Sequence, residues 1–145
     1  MKVLIVDGDP IQLKVWEKVF RSLNCCDYCL TNDIDMASKL VRENAIDMLI
    51  SEVIMEKGNG FDLAEETHKL NPMANIILTT TYNCDLRRFN LGNPRFHILY
   101  KPYQSIEDVI KFVASIFHHT DPRTDMDEDS WSENEEFPSI MEWKL

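Results

Sequence analysis

The chain has 145 residues, enough for one compact domain with a tail and too few for a large multidomain enzyme. Its 44% apolar and 28% charged residues form an ordinary globular mixture, so a self-sufficient core is expected. A formal net charge of −10, from 25 acidic and 15 basic residues, disfavours nucleic acid and anionic membrane surfaces as partners.

The opening MKVLIVDGDP places Asp7 after four apolar residues, which does not suit a signal peptide, and no stretch nears the ~18 apolar residues of a membrane span. A cytoplasmic protein is expected, with Cys25, Cys26, Cys29 and Cys84 as reduced thiols.

Val3-Leu4-Ile5-Val6 reads as a strand covered on both faces. Asp9-Pro10 then supplies an N-cap and a first helical residue, and Ile11, Leu13, Val15, Trp16, Val19, Phe20 and Leu23 form the inward stripe of the helix that follows. The pattern repeats with a strand near 26–31 and a helix over 34–44, then a strand at 46–51 and a helix over 61–70. A strand at 75–80 precedes a weaker helix over 84–91, and a strand at 96–100 precedes a helix over 104–118. Five βα units predict an α/β fold with a five-stranded parallel sheet and helices on both faces.

Cys25-Cys26-x-x-Cys29 looks like half a zinc site, but strand alternation sends Cys26 and Cys29 to opposite faces and no second pair follows, so core or edge thiols are expected. His118 and His119, in the last turn of their helix, complement its negative end. Arg87, Arg88 and Arg95 form a basic patch around the weak fourth helix, suited to water, to an acidic partner or to the chain's own tail. Residues 121–145 carry nine acidic residues against Arg123 and Lys144, a net of −7, whereas residues 1–120 carry a net of −3. The boundary therefore falls near Thr120, giving a domain over 1–120 and an acidic, flexible tail over 121–145. Within that tail Phe137, Ile140, Met141 and Leu145 have helical spacing, which fits either a frayed end or a docking segment.

Ligands of such sheets sit beyond the carboxyl ends of the strands. Those ends hold Asp7 and Asp9, Glu52, Thr80 and Lys101. Carboxylates, a hydroxyl and an ammonium gathered there could hold Mg²⁺ and an acyl phosphate, since oxygen suits the hard cation and Lys and Thr bind phosphoryl oxygens.

The stretches Val3–Pro10, Asp47–Met55, Gly58–Leu63, Ile76–Thr81 and Lys101-Pro102-Tyr103 together resemble the receiver domains of two-component response regulators over about residues 1–119. The resemblance implies a flavodoxin-like, CheY-like sheet of strand order 2-1-3-4-5. It also implies an Asp phosphorylated by a histidine kinase in a prokaryotic signalling system, and a switching surface near the fourth helix and fifth strand.

Glu52 stands where the family's phosphoacceptor Asp stands. The extra methylene carries its carboxylate roughly 1.5 Å further into the pocket, towards Lys101 and Thr80. Glu52 would thus mimic the phosphorylated state, paired with Lys101 and hydrogen-bonded by Thr80. Three further departures agree. Gly8 replaces the second member of an acidic pair, leaving Asp7, Glu52 and the main-chain carbonyl of Ile54 as a reduced Mg²⁺ set, with Asp9 joining only through a loop adjustment or a water. Ile98 replaces the aromatic rotamer switch coupled to the Thr80 hydroxyl, and Thr81, where a small residue is usual, narrows access. Lys101-Pro102 persists for a cis turn that aims Lys101 inward, and Gly58-Asn59-Gly60 for a permissive backbone into the third helix.

The implied protein is an atypical receiver, or pseudo-receiver, that binds a protein partner through the face of the fourth helix, fifth strand and fifth helix and is not an enzyme. A homodimer is a further expectation. A different class is kept open by Asp7-Gly8-Asp9: haloacid-dehalogenase-like phosphohydrolases, which use Mg²⁺, place an Asp-x-Asp after the first strand as nucleophile and general acid. Those enzymes need a further acidic pair late in the sheet, where only Asp85 stands.

Overall fold

The computed structural model describes residues 1–24 and 26–120, the side chains of 118–120 excepted. In chain order it runs β1 (Lys2–Val6), α1 (Pro10–Leu23), β2 (Asp27–Thr31), α2 (Ile34–Glu43), β3 (Met48–Glu52), β4 (Ile54–Met55), β5 (Gly58–Asn59), α3 (Gly60–Leu70), β6 (Asn75–Thr80), β7 (Phe96–Tyr100) and α4 (Ile106–Thr120). Five strands form one sheet in the order β2-β1-β3-β6-β7, every pairing parallel. The expected order and direction both hold.

Strand alternation divides the core between the two faces. Val3, Ile5, Met48, Ile50 and Ile77 meet α1 and α4 through Trp16, Phe20, Val113 and Phe117. Leu4, Val6, Leu49, Ile76 and Leu78 meet α2 and α3 through Ala37, Val41, Leu63 and Ala64. Each fully buried large side chain contributes about 1.5–3 kcal/mol of transfer free energy, which is why the continuous apolar runs become the central strands. Cys26 packs in the first cluster and Cys29 in the second, so the opposite-face expectation holds for the described pair. Cys25 lies outside the described residues, and so do the segment 121–145 and its helical end.

Helix starts are fixed locally. The Asp9 side chain accepts from the Ile11 N–H at 2.9 Å with Pro10 in the first turn, Asp33 caps α2, and Asn59 caps α3 by accepting from the Asp62 N–H at 2.9 Å. Arg21, Arg42 and Lys69 close the last turns of α1, α2 and α3.

Residues 84–91 are not helical, against the periodicity there. Asp85, Asn90 and Asn93 each accept, through the side-chain oxygen, from the backbone N–H two residues on, at Arg87, Gly92 and Arg95. These Asx turns consume N–H groups that a helix would need, and Gly92 and Pro94 add further breaks. The segment is held instead by its side chains: Arg88 reaches back to Asp62 at 2.7 Å and Glu65 at 2.9 Å on α3. A two-residue hairpin, β4 with β5, was equally absent from the sequence pattern.

Candidate functional site

Asp7 follows β1, Glu52 ends β3, Thr80 ends β6 and Lys101 follows β7, so the sheet delivers all four to one edge. The peptide bond between Lys101 and Pro102 is cis, and the Lys101 N–H donates to the Thr80 carbonyl at 2.7 Å. The Lys101 ammonium then lies between two carboxylates, donating to Asp7 Oδ2 at 2.7 Å and to Glu52 Oε1 at 3.1 Å. Asp7 is 1% exposed, the Lys101 side chain 13% and the Glu52 side chain 25%. This is a buried three-charge cluster whose open side is at Glu52.

The remaining oxygens are also engaged. Asp7 Oδ1 accepts from the Asp9 N–H at 2.9 Å, and Glu52 Oε2 from the Gly8 N–H at 3.2 Å. Gly8 earns its place here: a Cβ would come 3.7 Å from Glu52 Oε2, so an acidic residue at this position would set a second carboxylate against the first. Gly60 has a different reason from the one the sequence suggested. Its φ is not positive; instead a Cβ would fall 2.3 Å from the Glu52 carbonyl oxygen, while its N–H donates to the Val53 carbonyl at 2.7 Å. Only a hydrogen fits where α3 begins against the end of β3.

Burial, the largest influence on Asp7, pushes its carboxyl above the ordinary range, against the pull of the Lys101 hydrogen bond and the Asp9 N–H. Burial pulls Lys101 down, but the hydrogen bonds and charges of Asp7 and Glu52 outweigh it and leave the ammonium above the usual lysine value. Lys101 therefore keeps its proton across the neutral range.

Several sequence expectations are corrected. Among the described residues no hydrogen bond joins Thr80 to Glu52; Thr80 contributes its backbone carbonyl to Lys101 instead. The unpartnered buried hydroxyls nearby are those of Thr79 and Tyr103. Asp9 caps α1 through Oδ1. Mg²⁺ at Asp7, Glu52 and the Ile54 carbonyl would compete with one protein hydrogen bond at each of the four carboxylate oxygens and with the Lys101 ammonium bonded to both acids. Ile54 itself lies exposed in β4, and no group of three His, Cys, Asp or Glu among the described residues is arranged to hold a metal ion. The Asp-x-Asp phosphohydrolase reading finds no support: Asp9 Oδ1 caps α1, and Asp85, in the turns before β7, pairs with the Arg87 guanidinium at 2.7 Å. Ile98 is partly buried in β7, packed against the α2–α3 side of the core, and Thr81 is exposed. The His118 and His119 side chains lie outside the described residues.

A family model described as response regulator receiver domain matches residues 3–113. By sequence the chain is 45% identical over 69 residues to Two-component response regulator ORR22 of Oryza sativa subsp. indica, and 44% identical over 69 residues to ORR23 of the same subspecies. Each alignment covers 45% of this chain and 10% of the relative, so the chain spans a small part of those proteins. Relatives from rice mean that the likeness does not point to a prokaryotic system alone. The fold is similar to a CheY-like response regulator receiver domain protein from Methanospirillum hungatei, with a TM-score of 0.72 at 18% identity over 84% of this chain and 97% of that one. A response regulator receiver protein from Sinorhizobium medicae gives 0.70 at 18% identity over 83% and 97%. The beryllofluoride-activated NtrC4 receiver domain, solved as a dimer, gives 0.68 at 16% over 83% and 98%. No helix among the described residues is long and apolar enough to cross a membrane.

Proposed function

Because the chain belongs to the response regulator receiver domain family of two-component signalling, we propose that it is a pseudo-receiver: Glu52 stands in for a phosphorylated acceptor, and the domain signals by protein contact without taking up a phosphoryl group. The observation that carries this reading is the double engagement of the Glu52 carboxylate, by Lys101 Nζ at 3.1 Å and by the Gly8 N–H at 3.2 Å. A phosphoryl group on a shorter acid would present its oxygens to an ammonium and a backbone N–H in the same way. Attack by Glu52 on a donor is disfavoured, since its oxygens are committed and a ~1 Å misplacement of a nucleophile can cost about a hundredfold in rate.

The partner surface in this reading is β7 with α4 and the turns of residues 81–95, which replace the expected fourth helix. Tyr82, 76% exposed, stacks on Tyr100 with ring centroids 4.3 Å apart, and Leu91 is also exposed. Exposed aromatic pairs of this kind suit the centre of a protein interface. A second copy of the chain is the alternative occupant. The domain works by binding rather than by catalysis, with residues 1–120 as the folding unit.

Incubation with acetyl phosphate and Mg²⁺, followed by intact-mass measurement, tests the reading. Wild type should gain no phosphoryl group, and Glu52→Asp should gain one on a fraction of molecules. Phosphorylation of wild type at Glu52 would overturn the proposal.

A further inference from the structure

Among the four described helices α1 alone has a net positive charge, from Lys14, Lys18 and Arg21 against Glu17. With His uncharged, α2 is neutral and α3 and α4 are acidic. The three cations fall at spacings of four and three, so they line the helix opposite its buried residues Trp16, Val19, Phe20 and Leu23. Ile11, 69% exposed, continues that line towards the helix start. Neither Lys14 nor Lys18 forms an ion pair among the described residues, and Glu17 approaches Arg21 only at 3.8 Å. The arginines before β7 differ, because their charge is answered locally. Arg87 pairs with Asp85 at 2.7 Å, Arg88 with Asp62 and Glu65, and Arg95 donates to the Met73 carbonyl at 2.9 Å.

α1 and α4 share one face of the sheet and run the same way along it. Tyr103, just before α4, meets Trp16 at 5.8 Å, and Phe117, near its end, meets Phe20 at 6.5 Å. The chain therefore leaves the described domain beside the end of α1 that carries Arg21. The segment that follows holds nine acidic residues against Arg123 and Lys144. Its densest acidic run is Asp125, Asp127, Glu128 and Asp129, and Trp131 comes next. Along the helix Lys14 lies about 10 Å and Ile11 about 15 Å from Arg21, at 1.5 Å per residue. Three to five residues of extended chain, at ~3.3 Å each, cover those distances. A segment running back along α1 thus meets the cations with its acids first and Ile11 with Trp131 last. Attachment through α4 makes the contact intramolecular, at an effective concentration on the order of millimolar, so weak exposed ion pairs suffice.

We propose that residues 125–131 bind the outer face of α1, with the acids on Lys14, Lys18 and Arg21 and the Trp131 ring on Ile11. The acidic segment is then the resident occupant of the domain's basic helix, and an acidic partner must displace it to reach α1. The contact uses no residue of the Asp7–Lys101–Glu52 cluster and does not depend on the reading of Glu52. Exposed ion pairs add little to folding stability, so the contact is followed by cross-linking and NMR rather than by an unfolding midpoint.

A carbodiimide, which condenses a lysine amine with a carboxylate touching it, is applied to the dilute full chain, and the monomer is mapped by peptide mass. Lys14 and Lys18 should join Asp125–Asp129 about fivefold more often than Lys39, Lys57, Lys69 or Lys111 do, as a tethered contact favours its own site. Raising salt from about 10 mM to about 1 M, which shortens the screening length from ~30 Å to ~3 Å, should abolish that preference. In two-dimensional NMR of the ¹⁵N-labelled full chain, the same salt step should shift the amides of Ile11–Ser22 and of 125–131 together. Lys14→Glu with Lys18→Glu, both on the exposed side, should give 125–131 their high-salt shifts at low salt. Lys14→Arg with Lys18→Arg should keep the wild-type shifts, and Trp131→Ala should move the Ile11 amide most. Cross-links spread evenly over the surface lysines, or confined to a dimer, would overturn the proposal. So would shifts of 125–131 that ignore charge reversal on α1, or that respond to Arg87→Glu instead.

Discussion

Taking away the Lys101 ammonium would strand Asp7, a carboxylate that is 1% exposed, with only the Asp9 N–H to compensate it. Breaking a buried pair by removing one partner typically costs about 3–5 kcal/mol, because the surviving charge remains desolvated. Lys101→Met should therefore lower the unfolding free energy by about 3 kcal/mol. Glu52→Gln removes a charge from a group whose side chain is 25% exposed and leaves Asp7 paired, so its cost should stay near or below about 1 kcal/mol. Urea denaturation of the two variants beside wild type measures both, and a Glu52→Gln loss as large as that of Lys101→Met would mean that Asp7 is not the main counter-charge. The sequence pointed to the pairing of Glu52 with Lys101 only through a family resemblance. Nothing in the spacing of residues told that the shorter contact goes to Asp7, because a contact across 94 positions is set by sheet order.

Elements were legible where burial dictates them and illegible where short-range hydrogen bonds do. The runs at Val3–Val6, Leu49–Ile50 and Ile76–Leu78 are apolar because both faces of the sheet are covered, and that leaves a plain trace in the sequence. Over 84–95 a helical stripe competes with three side-chain-to-backbone turns, one of them wholly within 84–91, and these turns offer backbone N–H groups a local partner that a helix would otherwise supply. The β4–β5 hairpin has two residues per strand, too few for any period. Its exit contains the tightest backbone approach near the site, which separates two glycines that look alike in sequence. Gly60→Ala would drive a Cβ to 2.3 Å from the Glu52 carbonyl oxygen, whereas at Gly58 the nearest atoms are Ile34 side-chain carbons at 3.5 Å or more. Backbone cannot yield as a side chain can, so Gly60→Ala should cost about 3 kcal/mol and Gly58→Ala less than about 1 kcal/mol. Equal midpoints in urea for the two variants would show that α3 can shift away from β3 without loss.

At the scale of the whole molecule, charge is divided unevenly: 1–120 carries −3 and 121–145 carries −7. If residues 1–120 are the folding unit, truncation after Thr120 should leave the urea midpoint and its slope unchanged, since the slope follows the surface exposed on unfolding. A lower midpoint would assign part of the fold to the acidic segment. Three buried groups of the described domain bear on its response to pH. His97, on β7, has a buried Nε2 without a partner and packs edge-on to Phe112 at 6.1 Å; burial holds its pKa below 6.5. A basic group with a depressed folded pKa contributes stability above its unfolded value and loses it as pH falls through the folded one. Asp7 acts in the opposite sense: its folded pKa is raised, so its contribution is complete below the ordinary carboxylate value of 3.8 and is lost as pH rises through the folded value. Lys101, also raised, contributes fully below 10.5 and loses that contribution only as pH climbs through its folded value. Between pH 7 and pH 5 the Lys101 contribution is constant and His97 is the group whose protonation opposes folding. The urea midpoint of wild type should therefore fall across that window, and His97→Phe, which keeps a ring against Phe112 but cannot take a proton, should flatten the fall. Parallel curves for the two proteins would show that His97 does not carry the acid sensitivity.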